Sequence, residues 1–449
     1  MKFYSTNRQA PDVDLATALL KGQAPDRGLY MPEDIPVLDL NKLAAFKNEN
    51  YAELAAWVLS HYTEGIFDEV LLRELCADAY DYEVPLEHVL QRRYIMRLDH
   101  GPTCSFKDFA ARMMARWFSQ LMQDRHQELV ILTATSGDTG SAIAHAFYGL
   151  PNIQVMVLFP PNEVSNRQRK QMTTLGGNIT LVGVDGKFDD CQALVKRAFA
   201  DSDLQSIPLT SANSINIGRL LPQSVYYIYA YVQLAKTVGE PITICVPSGN
   251  FGNMMGALLA KSMGLPVQKI VIATNANDEV PEFLKTSVYR KIVPSRNCIS
   301  NAMNVGHPSN LARVVALFGG HMDETGQIHQ MPDMDTVRQT LWGISISDEE
   351  TRETIQEAWN SCQLLLEPHG AVGWAGLNHY VKEEKAEGLM VCVETAHPAK
   401  FPEEIERLLG LEPDVPDSLK AIEGRDESYL NMAADFGVFK ELLQERYGK

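Results

Sequence analysis

The stretch from His100 to Phe118, HGPTCSFKDFAARMMARWF, places one lysine, Lys107, at the mouth of an amphipathic helix. Apolar residues at Phe106, Phe109, Ala110, Met113, Met114, Trp117 and Leu121 recur at the three-and-four spacing of a buried helical face. Pro102 supplies a turn and Ser105 a candidate cap, so the helix is expected to begin near Ser105, with Lys107 in a first turn whose backbone N–H groups are unpaired and positive. An ammonium is disfavoured there. The helix dipole contributes roughly 0.3–1 kcal/mol, whereas carrying a lysine from its reference pKa to neutrality takes about 4.6 kcal/mol. Burial must therefore do most of the work, or an imine to an aldehyde cofactor must replace the ammonium. A solvated lysine paired with Asp108 is the plain alternative that this stretch leaves open.

Three further loops are chemically loaded. TATSGDTGSA, Thr133 to Ala142, follows an apolar run, and its Thr135, Ser136 and Thr139 hydroxyls and backbone N–H groups lie at a helix N-terminus that suits a carboxylate or phosphate. Simple capping is the alternative, and Asp138 is an acid that needs a partner of its own. VPSGNFGNMMG, Val246 to Gly256, offers Gly249 and Gly252 for close backbone approach, flanking Asn250 and Phe251 and followed by Asn253, a pattern suited to a phosphate monoester cradled by amides. It is neither GxGxxG nor GxxxxGK[ST], which disfavours a dinucleotide or nucleoside triphosphate. ETAHPAKF, Glu394 to Phe401, sets out a neutral hydroxyl at Thr395, a titratable ring at His397 and a cation at Lys400. Between the first two loops, SANSINIGRL (Ser211 to Leu220) carries Asn213, Asn216 and the fork donor Arg219. A lysine that is better neutral, a monophosphate cradle and a hydroxyl-lined carboxylate seat together describe pyridoxal phosphate with an amino acid on it. No metal-ligand constellation competes.

These loops need a scaffold, and the hydropathy pattern supplies one. Residues 1 to about 95 read as helical, with Leu40 to Leu59 and Ile66 to Ala79 separated from the start of the chain by the proline-marked GLYMPEDIP. From Arg93 onward strands alternate with helices. Arg93 to Leu98, Leu129 to Ala134, Ile153 to Phe159, Ile179 to Val184, Ile242 to Val246, Lys269 to Ala273 and Leu389 to Val393 read as strands, and helices are expected to close the chain. The expectation is an α/β fold with two parallel-sheet domains and a helical N-terminal region: 1–95 helical, 96–222 a smaller α/β domain, 223–449 a larger one. Ligands in such sheets sit beyond the carboxyl ends of strands, where the loaded loops fall.

Composition narrows the function further. A net charge of −17 over 449 residues argues against nucleic acid or an anionic membrane as the main partner, so an anionic substrate needs a local basic pocket. The seven cysteines, Cys76, Cys104, Cys191, Cys245, Cys298, Cys362 and Cys392, show no CxxC pair and read as reduced thiols in a cytoplasm. Cys104 is better read as a small buried filler than as a nucleophile. The sequence does not specify an oligomeric state.

HGPTCSFKDFAARMM, TATSGDTGSAIAHAF, SANSINIGRL, VPSGNFGN and ETAHPAKF, in this order, resemble the longer microbial type of the threonine synthase family, and GLYMPEDIP is similar to its N-terminal segment. The resemblance implies a pyridoxal 5'-phosphate enzyme of fold type II, the tryptophan-synthase β-like architecture, converting O-phospho-L-homoserine and water to L-threonine and phosphate. It makes Lys107 the cofactor-holding and catalytic lysine, and Gly249, Asn250, Phe251, Gly252 and Asn253 the cofactor-phosphate loop. Thr395 becomes the hydroxyl facing the pyridine nitrogen. Thr135, Ser136 and Thr139 match the substrate-carboxylate loop, and Asn213 and Arg219 the substrate-phosphate contacts. Asp138 departs from the asparagine that meets the cofactor's 3-hydroxyl in the shorter type; a carboxylate there is expected to be protonated, or to leave that hydroxyl its proton. His397 is a candidate second proton carrier. A phosphohomoserine lyase of the same fold releasing 2-oxobutyrate, a serine or threonine dehydratase, and a non-catalytic cofactor-binding protein are the competing readings.

Overall fold

The computed structural model describes residues 1–135 and 137–448, and of Asp124 the backbone only. Five parallel strands form one sheet, in the order Leu430–Ala433, Ile179–Asp185, Ile153–Phe159, Leu129–Ala134, Leu209–Thr210. Six strands form the other, in the order Leu341–Ser345, Val267–Thr274, Ile242–Pro247, Leu389–Glu394, Arg93–Arg97, Leu86–Leu90, parallel except for the last pair. The central strands LVILTA, ITICVP and LMVCVE are buried at every residue, which is why they read as unbroken apolar runs rather than alternations.

The chain crosses the division expected at 95/96 and 222/223. Arg93–Arg97, which leads into the Lys107 helix, pairs with Leu389–Glu394 in the six-stranded sheet. Leu430–Ala433 runs back to edge the five-stranded sheet beside Ile179–Asp185, so the chain does not close in helices alone. Of that short strand only Met432 is buried, too little periodicity to be legible in the sequence.

The N-terminal region is helical, as expected, and each of its four α-helices starts on a polar cap. Asp14, Asp39, Asn50 and Asp68 accept backbone N–H groups of Leu15–Lys21, Leu40–Ala44, Tyr51–Thr63 and Glu69–Ala79. Residues of Leu15–Lys21, Tyr51–Thr63 and Glu69–Ala79 pack against the Lys107 helix (Lys107–Arg125). Phe109, Met113, Met114 and Trp117 are fully buried, and Phe109 meets Tyr51, Tyr80 and Tyr82. The front of this helix is thereby fixed by its back.

The helices Gln223–Leu234 and Gly252–Ser262 pack against each other, closest at Gly256. A Cβ on Gly256 would lie 2.8 Å from the carbonyl carbon, carbonyl oxygen and Cβ of Gln223. Gly256→Ala is therefore expected to lower the free energy of unfolding by about 1–3 kcal/mol, because backbone must move. Gly424→Ala, with nothing within 4 Å of the new methyl, should stay within about 0.5 kcal/mol of the parent. Urea denaturation of the two variants side by side checks this.

Candidate active site

The loop after strand Leu389–Glu394 returns across the front of the Lys107 helix. Ser105 bridges Ala396, the Phe106 N–H donates to the Thr395 carbonyl at 2.9 Å, and the His397 N–H donates to the Cys104 carbonyl at 3.0 Å. Thr395 and Lys400 are buried beside the helix mouth. The helix begins at Lys107 rather than Ser105, with the Ser105 hydroxyl accepting the Lys107 N–H at 3.4 Å.

Lys107 is not paired with Asp108. Asp108 is buried and accepts the Thr103 N–H at 2.8 Å and the Thr103 hydroxyl at 2.6 Å. The Lys107 Nζ, 14 % exposed along its side chain, lies 3.9 Å from Asp138 Oδ2. Burial lowers the Lys107 pKa from 10.5 to about 8; Asp138 pulls it up, while Lys400 and Arg219 push it down.

Asp138 opens the helix Asp138–Phe147 and is 3 % exposed along its side chain. Its Oδ1 accepts Lys400 Nζ at 2.6 Å and Gln168 Nε2 at 2.9 Å. Burial opposes its charge, but the two lysines and the Gln168 amide hold it well below the usual carboxylate range. Of the two expectations for residue 138, a protonated acid or a carboxylate that leaves the cofactor hydroxyl its proton, the structure favours the second: Lys400, wholly buried, supplies the cation that keeps Asp138 ionised.

The loop between Ile242–Pro247 and helix Gly252–Ser262 gathers the five residues expected to cradle a phosphate. Phe251 adopts a left-handed conformation, φ 62, that turns the chain into the helix and leaves the first-turn N–H groups free of intrahelical partners. Gly249 packs against the segment Asn301–Met303 so closely that a Cβ would lie 2.8 Å from Met303 Cα. Asn250 is held at both ends, donating to Ser214 Oγ at 2.6 Å and accepting the Ser309 N–H at 2.7 Å. The Asn253 oxygen accepts the hydroxyls of Tyr226 and Tyr227, which fixes the amide and leaves its nitrogen as the free end. That nitrogen is buried without a hydrogen-bond partner among the described residues. A buried orphan donor beside free helix N-terminal amides, next to a glycine that must stay bare, fits a phosphate monoester.

The other expected residues divide. Thr135 is buried with its hydroxyl inside its own turn, accepting the N–H groups of Gly137 at 3.0 Å and Gly140 at 2.7 Å, so it shapes the loop. Thr139 is half-buried in the first turn of the Asp138 helix. Ser136 lies outside the described residues. Asn213 accepts the Thr133 hydroxyl at 2.6 Å, and Asn216 is consumed by bonds to Leu19, Ser211 and Gly218. Arg219 is buried and donates to one group among the described residues, the Ala212 carbonyl at 2.9 Å; its Nε has no partner, and burial lowers its pKa to about 10. His397 accepts the Ala399 N–H on Nδ1, and burial lowers its pKa to about 4, so it is neutral near pH 7 and a poor proton donor there. Cys104 is buried with its thiol pushed up to about 11, consistent with filler.

Sequence reasoning missed several supports. Gln168 and Gln171 reach Asp138 and Thr103 from the helix Asn166–Thr173. His369 Nε2 accepts the Ala302 N–H at 3.1 Å and its Nδ1 is bonded to Glu367, fixing the segment on which Gly249 rests. The signal available for His369 was its place one residue past Pro368 at a helix start.

Comparison with known proteins settles what such a site belongs to. The model of the family "Pyridoxal-phosphate dependent enzyme" matches residues 84–395, "Threonine synthase N terminus" residues 2–80 and "Threonine synthase, C-terminal" residues 370–443. Threonine synthase of Haemophilus influenzae is 40% identical over 423 residues, 93% of this chain and 94% of that protein. The chain belongs to the threonine synthase family. A crystal structure of threonine synthase from Escherichia coli superposes with a TM-score of 0.88 at 37% identity, covering 99% of this chain and 100% of that one. A PLP-bound threonine synthase from Brucella melitensis superposes at 0.92 with 32% identity, covering 100% of both. The threonine synthase family is one of pyridoxal-phosphate-dependent lyases, and the fold and cofactor expected from the sequence hold for this member.

If the 249–253 loop is the phosphate cradle, Gly249→Ala should weaken pyridoxal phosphate binding at least about tenfold, roughly 1.4 kcal/mol. Absorbance titration of cofactor-free protein measures it, and unchanged affinity would remove Gly249 from the cradle.

Proposed function

We propose that the chain converts O-phospho-L-homoserine and water to L-threonine and inorganic phosphate. The observation that carries the substrate choice is Arg219, a buried guanidinium with unused donors close enough to Lys107 to depress its pKa. A buried guanidinium whose donors the fold does not use up is suited to an anion, and a planar fork with free N–H groups suits a phosphate.

Lys107, the 249–253 loop, Asp138 and Thr395 would hold the cofactor. When bound, pyridoxal phosphate supplies a ring that withdraws electrons from carbons near the substrate's amino group and makes their protons acidic. Lys107 is the base for those protons. Lys400 is unsuited to that role, because its Nζ is already bonded to Asp138 and to the Thr103 carbonyl at 3.0 Å. The N-terminal amides of the Asp138 helix would orient the substrate carboxylate. Arg219 would neutralise the phosphate as it leaves the γ-carbon, while Lys107 returns a proton there and water takes the β-carbon. Thr395 would offer the ring nitrogen a neutral hydroxyl, which fits a ring that is not permanently protonated. The free thiols fit a reducing compartment, the cytoplasm. Among the described residues, no helix is long and apolar enough to cross a membrane.

Incubation with O-phosphohomoserine should release threonine and phosphate in equal amounts; 2-oxobutyrate as the product would overturn the reading in favour of the lyase. Lys107→Ala should abolish turnover. Arg219→Gln should lower kcat/KM roughly 100-fold, about 3 kcal/mol, by stranding the phosphate without its fork donor. Steady-state kinetics on the folded variants checks both.

A further inference from the structure

Lys400 is the unexplained group of the site. Its side chain is fully buried in the short turn Pro398–Lys400, which follows strand Leu389–Glu394 of the larger sheet, yet its ammonium reaches Asp138, which follows strand Leu129–Ala134 of the smaller one. It donates to Asp138 Oδ1 at 2.6 Å and to the Thr103 carbonyl at 3.0 Å. Gln168 brings a second donor to the same carboxylate oxygen at 2.9 Å. Lys107 is left with the other oxygen, at 3.9 Å and beyond hydrogen-bond reach.

One carboxylate therefore faces two lysines, and the geometry shows which one holds it. We propose that Lys400 is a positioning residue for Lys107, competing for the charge of Asp138 and so leaving Lys107 as the lysine of the two that gives up its proton more readily. The inference deepens the function proposed above and rests on Lys107 being the reactive amine. A carboxylate pinned through Oδ1 is fixed in orientation, so it stabilises a Lys107 ammonium less than a freely rotating Asp138 would. Lys400 also repels that ammonium directly, since the two cations share one buried region.

The charged groups acting on Lys107 are Asp138 from the smaller domain, Lys400 from the returning loop, Arg219 from the turn Ile217–Arg219, and Glu367 at the start of helix Pro368–Glu384. Those that feel Lys400 besides Asp138 and Lys107 are Cys104, Asp108 and His397. Cys104 and His397 are neutral near pH 7, the thiol raised to about 11 and the imidazole lowered to about 4. Asp108 is answered by Thr103. None of these displaces Asp138 as the partner of Lys400.

The test reads the proton on Lys107 itself, without turnover. Full-length protein freed of cofactor is treated with a trace of acetic anhydride across pH 6 to 10, and acetylation of Lys107 is followed by mass spectrometry. In the parent the half-point should fall near 8. In Lys400→Gln the carboxylate turns to Lys107, and labelling at pH 7 should drop about tenfold, a one-unit rise of the half-point. Lys400→Arg keeps the charge and should label within about twofold of the parent. In Asp138→Asn the contested charge is gone, and labelling at pH 7 should rise about fivefold, the result of a one-unit fall. Opposite signs for Lys400→Gln and Asp138→Asn are what a merely structural role would not produce.

Labelling of folded Lys400→Gln within twofold of the parent would overturn the proposal. Lys400→Gln strands no carboxylate, because Lys107 stands ready to pair with Asp138. Should it nonetheless fail to fold, Asp138→Asn decides alone: unchanged labelling means Asp138 has no hold on Lys107 for Lys400 to contest. Borohydride reduction of the loaded parent, locating the pyridoxyl group, separates the two readings. A label on Lys107 keeps the functional assignment even if the competition fails.

Discussion

The structure depends on keeping an ammonium out of water at the wrong end of a helix. Lys107 stands where first-turn N–H groups already make the potential positive, and two further buried cations, Lys400 and Arg219, stand close by. The fall of its pKa from 10.5 to about 8 corresponds to about 3 kcal/mol. The helix dipole supplies at most about 1 kcal/mol of that, so desolvation and neighbouring charge do the rest. The back of the helix makes this possible: Phe109, Met113, Met114 and Trp117 are locked under the N-terminal helices, so the front cannot tip toward solvent. The N-terminal region thereby bears on the chemistry without lending it a side chain.

A chain with a net charge of −17 gathers Lys107, Lys400 and Arg219 at this site, with Asp138 the one carboxylate in ion-pair range of any of them among the described residues and Glu367 and Asp108 acting from farther off. Such an excess is costly to bury unless anions arrive, and the shapes on offer say which. The 249–253 loop presents amides and one orphan amide nitrogen, which suit a phosphate held without a formal charge pair. Arg219 presents a fork, which suits an anion whose charge must be met when it leaves. On the function proposed above, the cofactor phosphate and the substrate phosphate would be met by different kinds of donor.

Much of this was legible in the sequence. Fully buried parallel strands read as unbroken apolar runs, and loops at their carboxyl ends carried the glycines, asparagines and hydroxyls. What was not legible was which polar atoms are used up by the fold. Thr135 and Asn216 have the right types, but the hydrogen bonds of Thr135 close its own turn, and those of Asn216 close its turn and tie it to the Leu19 carbonyl. Lys400 read as one cation in a loop, although its neighbours Pro398, Ala399 and Phe401 are all apolar, and that setting was the available hint of burial. The strand Leu430–Ala433 was invisible because an edge strand with one buried side chain has almost no pattern.

The two buried arginines show why counting donors decides what residue type cannot. Arg313 and Arg219 are both buried, with pKa values lowered to about 9 and about 10, and neither has a carboxylate within hydrogen-bond reach among the described residues. Arg313 gives its N–H groups to the carbonyls of Tyr30, Ser214 and Ile215 and to the side chain of Asn310. It ties the N-terminal segment to the loop carrying Asn213 and Arg219, and Asn310 in turn reaches Asn250 and Ser214. A guanidinium with four acceptors has little left for a ligand. Arg219, on the far end of that same loop, donates to one carbonyl and keeps Nε unpaired. The saturated arginine therefore builds the wall, and the unsaturated one keeps donors that the fold itself does not use.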